Sequence, residues 1–202
     1  MEVEVKIRLD DAAAHQRVAQ LLAPSHQVTH LQENVFFDGA RNQLSSKRMV
    51  LRLRFYNGDQ RCVLTLKGKA VIIDGISRGS EVEEDIDVAF ARACVADSSQ
   101  LVGNSDCKLL QQIVREYECD KFVCLGGFRN VRNVYDWEGV KLELDETHYA
   151  FGTTYEIECE TTDPERFRQL LGDLLDKHGI AYRYSTISKF GIFRSGKIGA
   201  LD

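Results

Sequence analysis

The stretch Glu2-Val3-Glu4-Val5-Lys6 alternates charged and apolar side chains at the start of the chain. Successive side chains of a β-strand point to opposite faces, so this alternation predicts a strand with the charges on one face and the valines on the other. Arg8 continues the charged row, and Ile7 and Leu9 continue the apolar row. Two acids and a base in one row can hold a divalent cation beside a phosphate group.

The composition limits the classes of protein to consider. The chain has 202 residues, a formal net charge of -5 and 44% hydrophobic residues, which predicts a soluble globular protein of one large domain or two small ones with a substantial core. An acidic balance argues against a general nucleic-acid coat protein. There is no run of about 18 or more apolar residues and no recognisable signal or transit peptide. We therefore expect a cytoplasmic protein, with a nuclear location as the alternative.

Cysteine and histidine spacing argues against a zinc or disulfide framework. None of the six cysteines forms a Cys-x-x-Cys pair or has histidines at zinc-finger spacing. We therefore expect reduced, mostly buried thiols. The five histidines are scattered, which makes a histidine-based metal site an unfavoured interpretation.

Alternating strand patterns are more frequent along the chain than helical patterns. The predicted strands cover residues 2–9, 26–37, 48–56, 61–68, 81–88, 121–136, 139–147, 153–161 and 183–194. The predicted helices cover residues 10–22, 89–97, 105–117 and 163–178, with a loop over 69–80. Asn57-Gly58 and Glu138-Gly139 predict hairpin turns. The pattern as a whole predicts a single α+β domain.

Several predicted strands carry a charged row like the first one. The row members are Arg52 and Arg54, Thr65, Lys67 and Lys69, Glu81 and Glu83, Lys141, Glu143 and Asp145, and Glu156, Glu158 and Glu160. A solvated face of an antiparallel sheet is the ordinary explanation of such rows. Here the signs are segregated by strand, which costs repulsion unless a metal ion or a polyanion compensates it. The other explanation is a closed barrel whose charged rows point inward and whose apolar rows are covered by helices.

Glycine-rich phosphate-binding loops are missing from the sequence. No Walker or kinase-type pattern is present, and the isolated Gly75 and Gly126-Gly127 are predicted to form turns. Phosphate binding would therefore depend on arginine and lysine side chains.

The ordered set of charged motifs resembles the CYTH superfamily, the triphosphate tunnel metalloenzymes. The matching motifs are Glu2-x-Glu4-x-Lys6, Leu51-Arg52-Leu53-Arg54, Leu64-Thr65-Leu66-Lys67, Glu81-Val82-Glu83, Leu142-Glu143-Leu144-Asp145, Glu156-Ile157-Glu158 and Ser188-Lys189-Phe190. The segment 125–137 is most similar to the single-domain plant members, which resemble thiamine triphosphatases and act on inorganic tripolyphosphate. The resemblance implies an α+β fold with an eight-stranded antiparallel β-barrel, the tunnel, and helices packed outside it. It would cover residues 1–202 as one domain, with 195–202 as a flexible tail.

The resemblance also implies roles for individual residues, with one or two Mg2+ or Mn2+ ions as cofactors. The implied metal ligands are Glu2, Glu4, Asp145, Glu156 and Glu158. The implied triphosphate-binding residues are Lys6, Arg52, Arg54, Lys67, Arg132 and Lys189, with Arg132 preferred to Arg129. Glu81 and Glu83 would serve a second metal or the attacking water, with Glu84 or Asp85 as alternatives, and Lys189 would protonate the leaving group.

The function that follows from the resemblance is metal-dependent hydrolysis of inorganic tripolyphosphate to pyrophosphate and phosphate. The alternatives are a thiamine triphosphatase or nucleoside triphosphatase, an adenylate cyclase of the same family, and a non-catalytic module that binds polyphosphate or nucleotide. The expected partner is a small-molecule triphosphate, without nucleic acid or membrane, and the expected state is a monomer.

Overall fold

A computed structural model describes residues 2–103 and 106–198. Its strands are β1 (Glu2–Leu9), β2 (His26–Gly39), β3 (Val50–Tyr56), β4 (Arg61–Lys67), β5 (Val71–Ile73), β6 (Ile76–Gly79), β7 (Glu81–Ile86), β8 (Phe122–Trp137), β9 (Val140–Tyr149), β10 (Gly152–Glu160) and β11 (Tyr182–Tyr184). Its α-helices are α1 (Ala12–Leu22), α2 (Val88–Ala96), α3 (Lys108–Glu116), α4 (Pro164–Lys177) and α5 (Lys189–Ser195). The described residues therefore confirm the α+β class.

The chain forms two compact units. The first unit comprises Met1–His30, Ala70–Gly79 and Arg129–Asp202, and the second comprises Leu31–Lys69 and Ser80–Phe128. In the first unit β1 pairs with β6, β10 and β11, β10 pairs with β9, and β9 pairs with β8, all antiparallel. In the second unit β2, β3, β4 and β7 pair in that order, also antiparallel. One domain over residues 1–202 stays a prediction.

Each unit packs the apolar rows of its strands against its helices. In the first unit Val5 and Ile7 of β1 share a core with Val18 of α1 and Leu171 of α4. In the second unit the apolar rows of β3 and β4 share a core with residues of α2 and α3, Cys94 and Leu110 among them. The apolar alternation of each strand thus specifies a helix-covered face and leaves the charged row on the opposite face.

Local signals fix the helix ends as the sequence predicts. Asp11 caps α1 by accepting a hydrogen bond from the Ala14 amide at 2.8 Å. Asp163 caps α4, Pro164 is its first residue, and Gly179 follows it with φ +58°. No helix among the described residues combines the length and apolar character that crossing a membrane requires.

Three parts of the prediction are wrong, and the first of them adds two strands to the nine predicted, which gives eleven among the described residues. The loop predicted over 69–80 contains β5 and β6, because a β-branched Val-Ile-Ile run precedes an Asp74-Gly75 turn with positive φ at both residues. The strand predicted over 183–194 is only the short β11 followed by α5. Ser188 begins that helix by accepting from the Gly191 amide at 3.1 Å, and Gly196 ends it with φ +68°.

The predicted turn at Gly126-Gly127 is also wrong, since both glycines lie inside β8. A Cβ atom at Gly127 would lie 1.8 Å from the carbonyl oxygen of Asn34, so this glycine serves a close approach of backbones rather than a turn. Of the tail predicted over 195–202, Ser195 is the last residue of α5, and 199–202 lie outside the described residues.

Candidate active site

The charged rows of the first unit meet across its strands in register. Lys6 of β1 faces Glu158 of β10, and Glu158 faces Glu143 of β9. Two residues further along β1, Arg8 faces Glu156 of β10, Glu156 faces Asp145 of β9, and Asp145 faces Arg132 of β8. Six of these seven residues are buried: Lys6, Arg8, Arg132, Asp145, Glu156 and Glu158. This burial excludes the solvated-face explanation for this part of the sheet.

Lys6 pairs with acids from two strands. Its Nζ donates to Glu158 Oε1 and, at 3.2 Å, to Glu4 Oε1. Burial by itself lowers the pKa of Lys6, but the carboxylates of Glu158 and Glu4 outweigh it and raise the pKa above its ordinary value. Lys6 is therefore a fixed positive charge between two acids.

Arg132 contacts three carboxylates. Its Nε and Nη2 donate to Asp145 Oδ1 and Oδ2 at 2.8 and 2.6 Å, and Nη2 also donates to Glu158 Oε2 at 2.6 Å. Nη1 forms an ion pair with Glu143. Although burial opposes ionisation of Asp145, the charges of Arg132 and Lys189 lower its pKa to about 2. Asp145 is therefore a carboxylate at any ordinary pH.

Lys189, the first residue of α5, joins the same group of charges. Its Nζ lies 2.8 Å from Asp145 Oδ2, 2.5 Å from Glu158 Oε1 and 3.1 Å from Glu156 Oε2. Burial lowers the pKa of Lys189, but these three acids outweigh it and raise the pKa well above the ordinary lysine value. Lys189 thus keeps its proton and acts as a persistent cation.

Three members of this cluster are absent from the sequence-based site. Arg8 binds Glu156 Oε1 through Nη2 at 2.7 Å, and Ser185 Oγ donates to the same oxygen at 2.9 Å. Asn130 Nδ2 donates to Asp145 Oδ1 at 2.9 Å. Arg8 continues the alternation of β1, so its position was readable from the sequence. Neutral Ser185 and Asn130 gave no signal, because their role depends on which carboxylate the fold brings to them.

Other site residues predicted for the first unit lie at or beside this cluster. Glu2 and Glu4 are half-buried on the charged row of β1, and Glu4 joins the cluster by accepting a hydrogen bond from Lys6. Arg129, the less favoured arginine, is exposed and faces His148 in the register. Among residues 2–103 and 106–198, no group of three or more His, Cys, Asp or Glu side chains is already arranged to hold a metal ion. The acids converge on bases instead.

The second unit has its own charged row on β3, β4 and β7. Arg52, Thr65 and Glu83 face one another in register, with Arg52 Nη2 3.1 Å from Thr65 Oγ1 and 3.3 Å from Glu83 Oε1. Lys67 Nζ lies 2.5 Å from Glu81 Oε2, and Arg52 Nη2 lies 3.5 Å from Glu81 Oε1. The structure therefore brings four predicted residues of this unit into one chain of contacts.

Arg54 lies next to Arg52 on the charged row of β3. Its Nε donates to Asn34 Oδ1 at 2.8 Å. Burial, followed by the positive charge of Arg54, lowers the pKa of Arg52 to about 10. Two neighbouring guanidinium groups, one buried and one half-buried, make this face a favourable place for an anion.

The two alternatives to Glu81 and Glu83 have other contacts. Glu84 accepts from the Lys108 and Leu109 amides at 3.1 and 2.7 Å, at the start of α3. Asp85 is exposed and pairs with Arg61 Nε at 2.6 Å. Glu84 is thus used to cap a helix, while Glu81 and Glu83 share the row of Arg52.

Comparisons with known proteins agree with the motif order. The family model described as the CYTH domain matches residues 1–190. A search of curated protein sequences found no significant match. A Hippeastrum structure, of an adenylyl cyclase candidate described as having a dominant triphosphatase activity, is 47% identical. The alignment covers 99% of this chain and 98% of that one, with a TM-score of 0.96.

More distant structures share the fold. A Bacillus halodurans protein described as an adenylate cyclase candidate is 21% identical, with a TM-score of 0.71 and 96% of each chain covered. A Pyrococcus horikoshii protein is 18% identical, with a TM-score of 0.62 and 96% of this chain and 99% of that one covered. Because the family model matches residues 1–190 and so spans nearly the whole chain, the chain belongs to the CYTH domain family.

Proposed function

We propose that this protein hydrolyses triphosphates in a metal-dependent reaction, with inorganic tripolyphosphate as its substrate and pyrophosphate and phosphate as products. The observation that carries the proposal is the buried cluster of Lys6, Arg132 and Lys189 among Glu158, Asp145 and their neighbours. Burying so many charges is costly unless they bind something. Similarity to the Hippeastrum chain, with its described triphosphatase activity, supports the same reaction class.

The acids of the first unit fit a hard divalent cation by their chemistry. The proposed ligands Glu2, Glu4, Asp145, Glu156 and Glu158 offer only carboxylate oxygens, the donors that Mg2+ and Mn2+ prefer. In the cluster they are engaged by lysines and arginines that a polyphosphate would attract. Such a cation, when bound, supplies neutralisation of phosphate charge and lowers the pKa of a coordinated water.

The bases would hold and orient the substrate. Lys6, Arg132 and Lys189 are proposed to bind phosphate oxygens, as are Arg52, Arg54 and Lys67 of the second unit. Water attacks the terminal phosphorus of tripolyphosphate, and the bond between that phosphorus and the bridging oxygen breaks. The electron pair of the broken bond leaves with the bridging oxygen in pyrophosphate. Lys189 contacts Asp145, Glu156 and Glu158 and is proposed to protonate the leaving pyrophosphate.

Glu81 and Glu83 are proposed to receive the proton of the attacking water. Both accept hydrogen bonds from Arg52, and Thr65 Oγ1 donates to Glu83 at 2.8 Å. Glu83 is the more accessible of the two, with 47% of its side chain exposed against 14% for Glu81. Glu83 is therefore the better placed to exchange a proton with solvent.

A substrate panel tests this proposal. The purified protein is incubated with tripolyphosphate, thiamine triphosphate or ATP, each with Mg2+, Mn2+ or EDTA, and the released phosphate is measured. We expect the fastest release from tripolyphosphate and none in EDTA. The ATP reactions are also analysed for cyclic AMP, since both the Hippeastrum and the Bacillus halodurans proteins have been described as cyclase candidates. Cyclic AMP as the main product, or no turnover of any triphosphate, would contradict the proposal.

A further inference from the structure

Asn34 of β2 has a buried side-chain amide, of which the oxygen forms a hydrogen bond and the nitrogen does not. Its side chain belongs to a residue that is 1% exposed, and its Oδ1 accepts from Arg54 Nε at 2.8 Å. Because Nε of arginine can only donate, the oxygen and not the nitrogen of the amide must face Arg54. The Nδ2 donor has no hydrogen-bond partner among residues 2–103 and 106–198. A group outside the described residues would have to supply an acceptor for it.

The surroundings favour an anion over a water molecule as that acceptor. Asn34 faces Arg54 in register, and Phe36, two residues along β2, faces Arg52. Arg52 Nε is a second buried donor without a hydrogen-bond partner in the described ranges. Two neighbouring guanidinium groups and two unused donors on one face of the second unit attract negative charge. A phosphate oxygen can accept from such donors and also balance the two positive charges.

The backbone that carries Asn34 is tightly fixed. A Cβ atom at Gly127 of β8 would lie 1.8 Å from the Asn34 carbonyl oxygen and 3.1 Å from Val35 Cα. Only glycine allows the two backbones of the second unit to approach this closely. The amide is thus presented from a strand whose backbone lies directly against a second strand, and ligand recognition favours side chains placed on such regular elements.

From these contacts we infer that Asn34 is a further substrate-binding residue with two roles. Its Oδ1 orients the guanidinium of Arg54, and its Nδ2 donates a hydrogen bond to an oxygen of the condensed phosphate that Arg52 and Arg54 bind. The inference rests on the proposed function for the identity of the anion. An amide adds a donor at this place without adding a third positive charge.

The test is calorimetric binding of tripolyphosphate in EDTA, where metal-dependent turnover is blocked. Asn34→Asp keeps an acceptor for Arg54 but removes the donor, and Asn34→Ala removes both. We expect affinity to fall about tenfold or more in each, the usual effect of losing a hydrogen bond to a charged group. Gln32→Glu is the matched control, since it makes the same amide-to-acid change two residues away on the same buried row. It should weaken binding less than Asn34→Asp does, because it leaves the Asn34 donor in place.

A second comparison separates direct contact from positioning. In an Arg54→Ala background, Asn34→Ala should still weaken binding, because the Nδ2 contact does not depend on Arg54. Wild-type affinity in Asn34→Asp, a loss no larger than that of Gln32→Glu, or no effect of Asn34→Ala in the Arg54→Ala background would each overturn the donor contact. Thermal unfolding of every variant shows whether the fold is retained.

The same measurements distinguish this inference from the proposed function. Wild-type binding without hydrolysis in Mg2+ would refute the function and leave the variant comparison to decide the role of Asn34. Wild-type hydrolysis with unchanged binding in the Asn34 variants would refute the inference alone. No tripolyphosphate binding by the wild type in EDTA would refute the inferred Asn34 contact, and the rate of phosphate release in Mg2+ would then decide the proposed function by itself.

Discussion

Arg132 and Asp145 face one another across β8 and β9 and form a buried ion pair with two parallel hydrogen bonds of 2.8 and 2.6 Å. The pair is the most specific geometry in the first unit, because a planar guanidinium fork matches a planar carboxylate. Neither group is accessible enough for water to replace its partner, since Asp145 is fully buried and Arg132 is 8% exposed. Each therefore depends on the other for its charge to be tolerated.

Replacing Asp145 by asparagine should destabilise the protein strongly. The amide has the same shape but removes one of the buried counter-charges of Arg132 and of Lys189, and removing one partner of a buried ion pair typically costs about 3–5 kcal/mol. The matched control is Asp136→Asn, since Asp136 pairs with Lys141 on the exposed part of the same hairpin. That change should cost about 0–1 kcal/mol. Urea unfolding measures both, and equal losses would contradict the buried-pair account.

Gly127→Ala should destabilise the second unit without touching any charged group. The added methyl carbon would lie 1.8 Å from the Asn34 carbonyl oxygen, so the strands must shift, at a cost of about 1–3 kcal/mol. Gly103→Ala is the control, because the nearest atom to its added carbon is 4.0 Å away. If urea midpoints of the two variants fall equally, the close approach of β8 to Asn34 is not as described.

His15 of α1 should make stability depend on pH near neutrality. Burial lowers the pKa of His15, with Glu146 and Asp145 opposing the shift less strongly. A lowered folded pKa means that the unfolded chain binds the proton more readily below about pH 6.5. The stability that the neutral His15 ring contributes is therefore fully present above about pH 6.5 and is lost as the pH falls through the pKa of His15 in the folded protein.

The measurement for His15 is thermal unfolding between about pH 7 and 5, a range that brackets the ordinary histidine pKa. His15→Gln should flatten the pH dependence of the unfolding temperature. A slope that stays the same in His15→Gln would exclude the buried ring as its source.

One thiol per native chain should react with a thiol reagent such as Ellman's reagent. Cys124 is exposed, while the other five free cysteines are buried, as the sequence led us to expect for most of them. Burial raises the pKa of Cys62 and of Cys159 to about 12, so their reactive thiolate forms are scarce. All six thiols should react in urea without reductant. Fewer than six would reveal disulfides.

Much of the fold was predictable because single strands carry their own pattern. The alternation in Glu2–Leu9 separates a helix-covered row from a charged row without any knowledge of neighbouring strands. Asp11 and Asp163 marked helix starts in the same local way. The short α5 was missed because Lys189-Phe190 continues an alternating pattern, and only the caps at Ser188 and Gly196 specify a helix there.

The sequence predicts which charged residues belong to the site but does not predict which residues they contact. Alternation placed Lys6 and Arg132 on charged rows, yet the register that joins Lys6 to Glu158 and Arg132 to Asp145 is a property of paired strands. Ser185 and Asn34 were invisible in the sequence, since a serine or an asparagine on a strand is ordinary. Their roles appear only once an adjacent carboxylate or guanidinium is known.

The central claim is that the acids of β1 serve a metal-dependent triphosphatase. Glu4→Gln removes one proposed ligand, while Glu165→Gln removes a surface acid that pairs with Arg78. The decisive measurement is the rate of phosphate release from tripolyphosphate in Mg2+ by wild type and both variants, with folding checked by thermal unfolding. The account predicts a loss of about 100-fold in Glu4→Gln and a wild-type rate in Glu165→Gln. A folded Glu4→Gln protein that hydrolyses tripolyphosphate at the wild-type rate would contradict it.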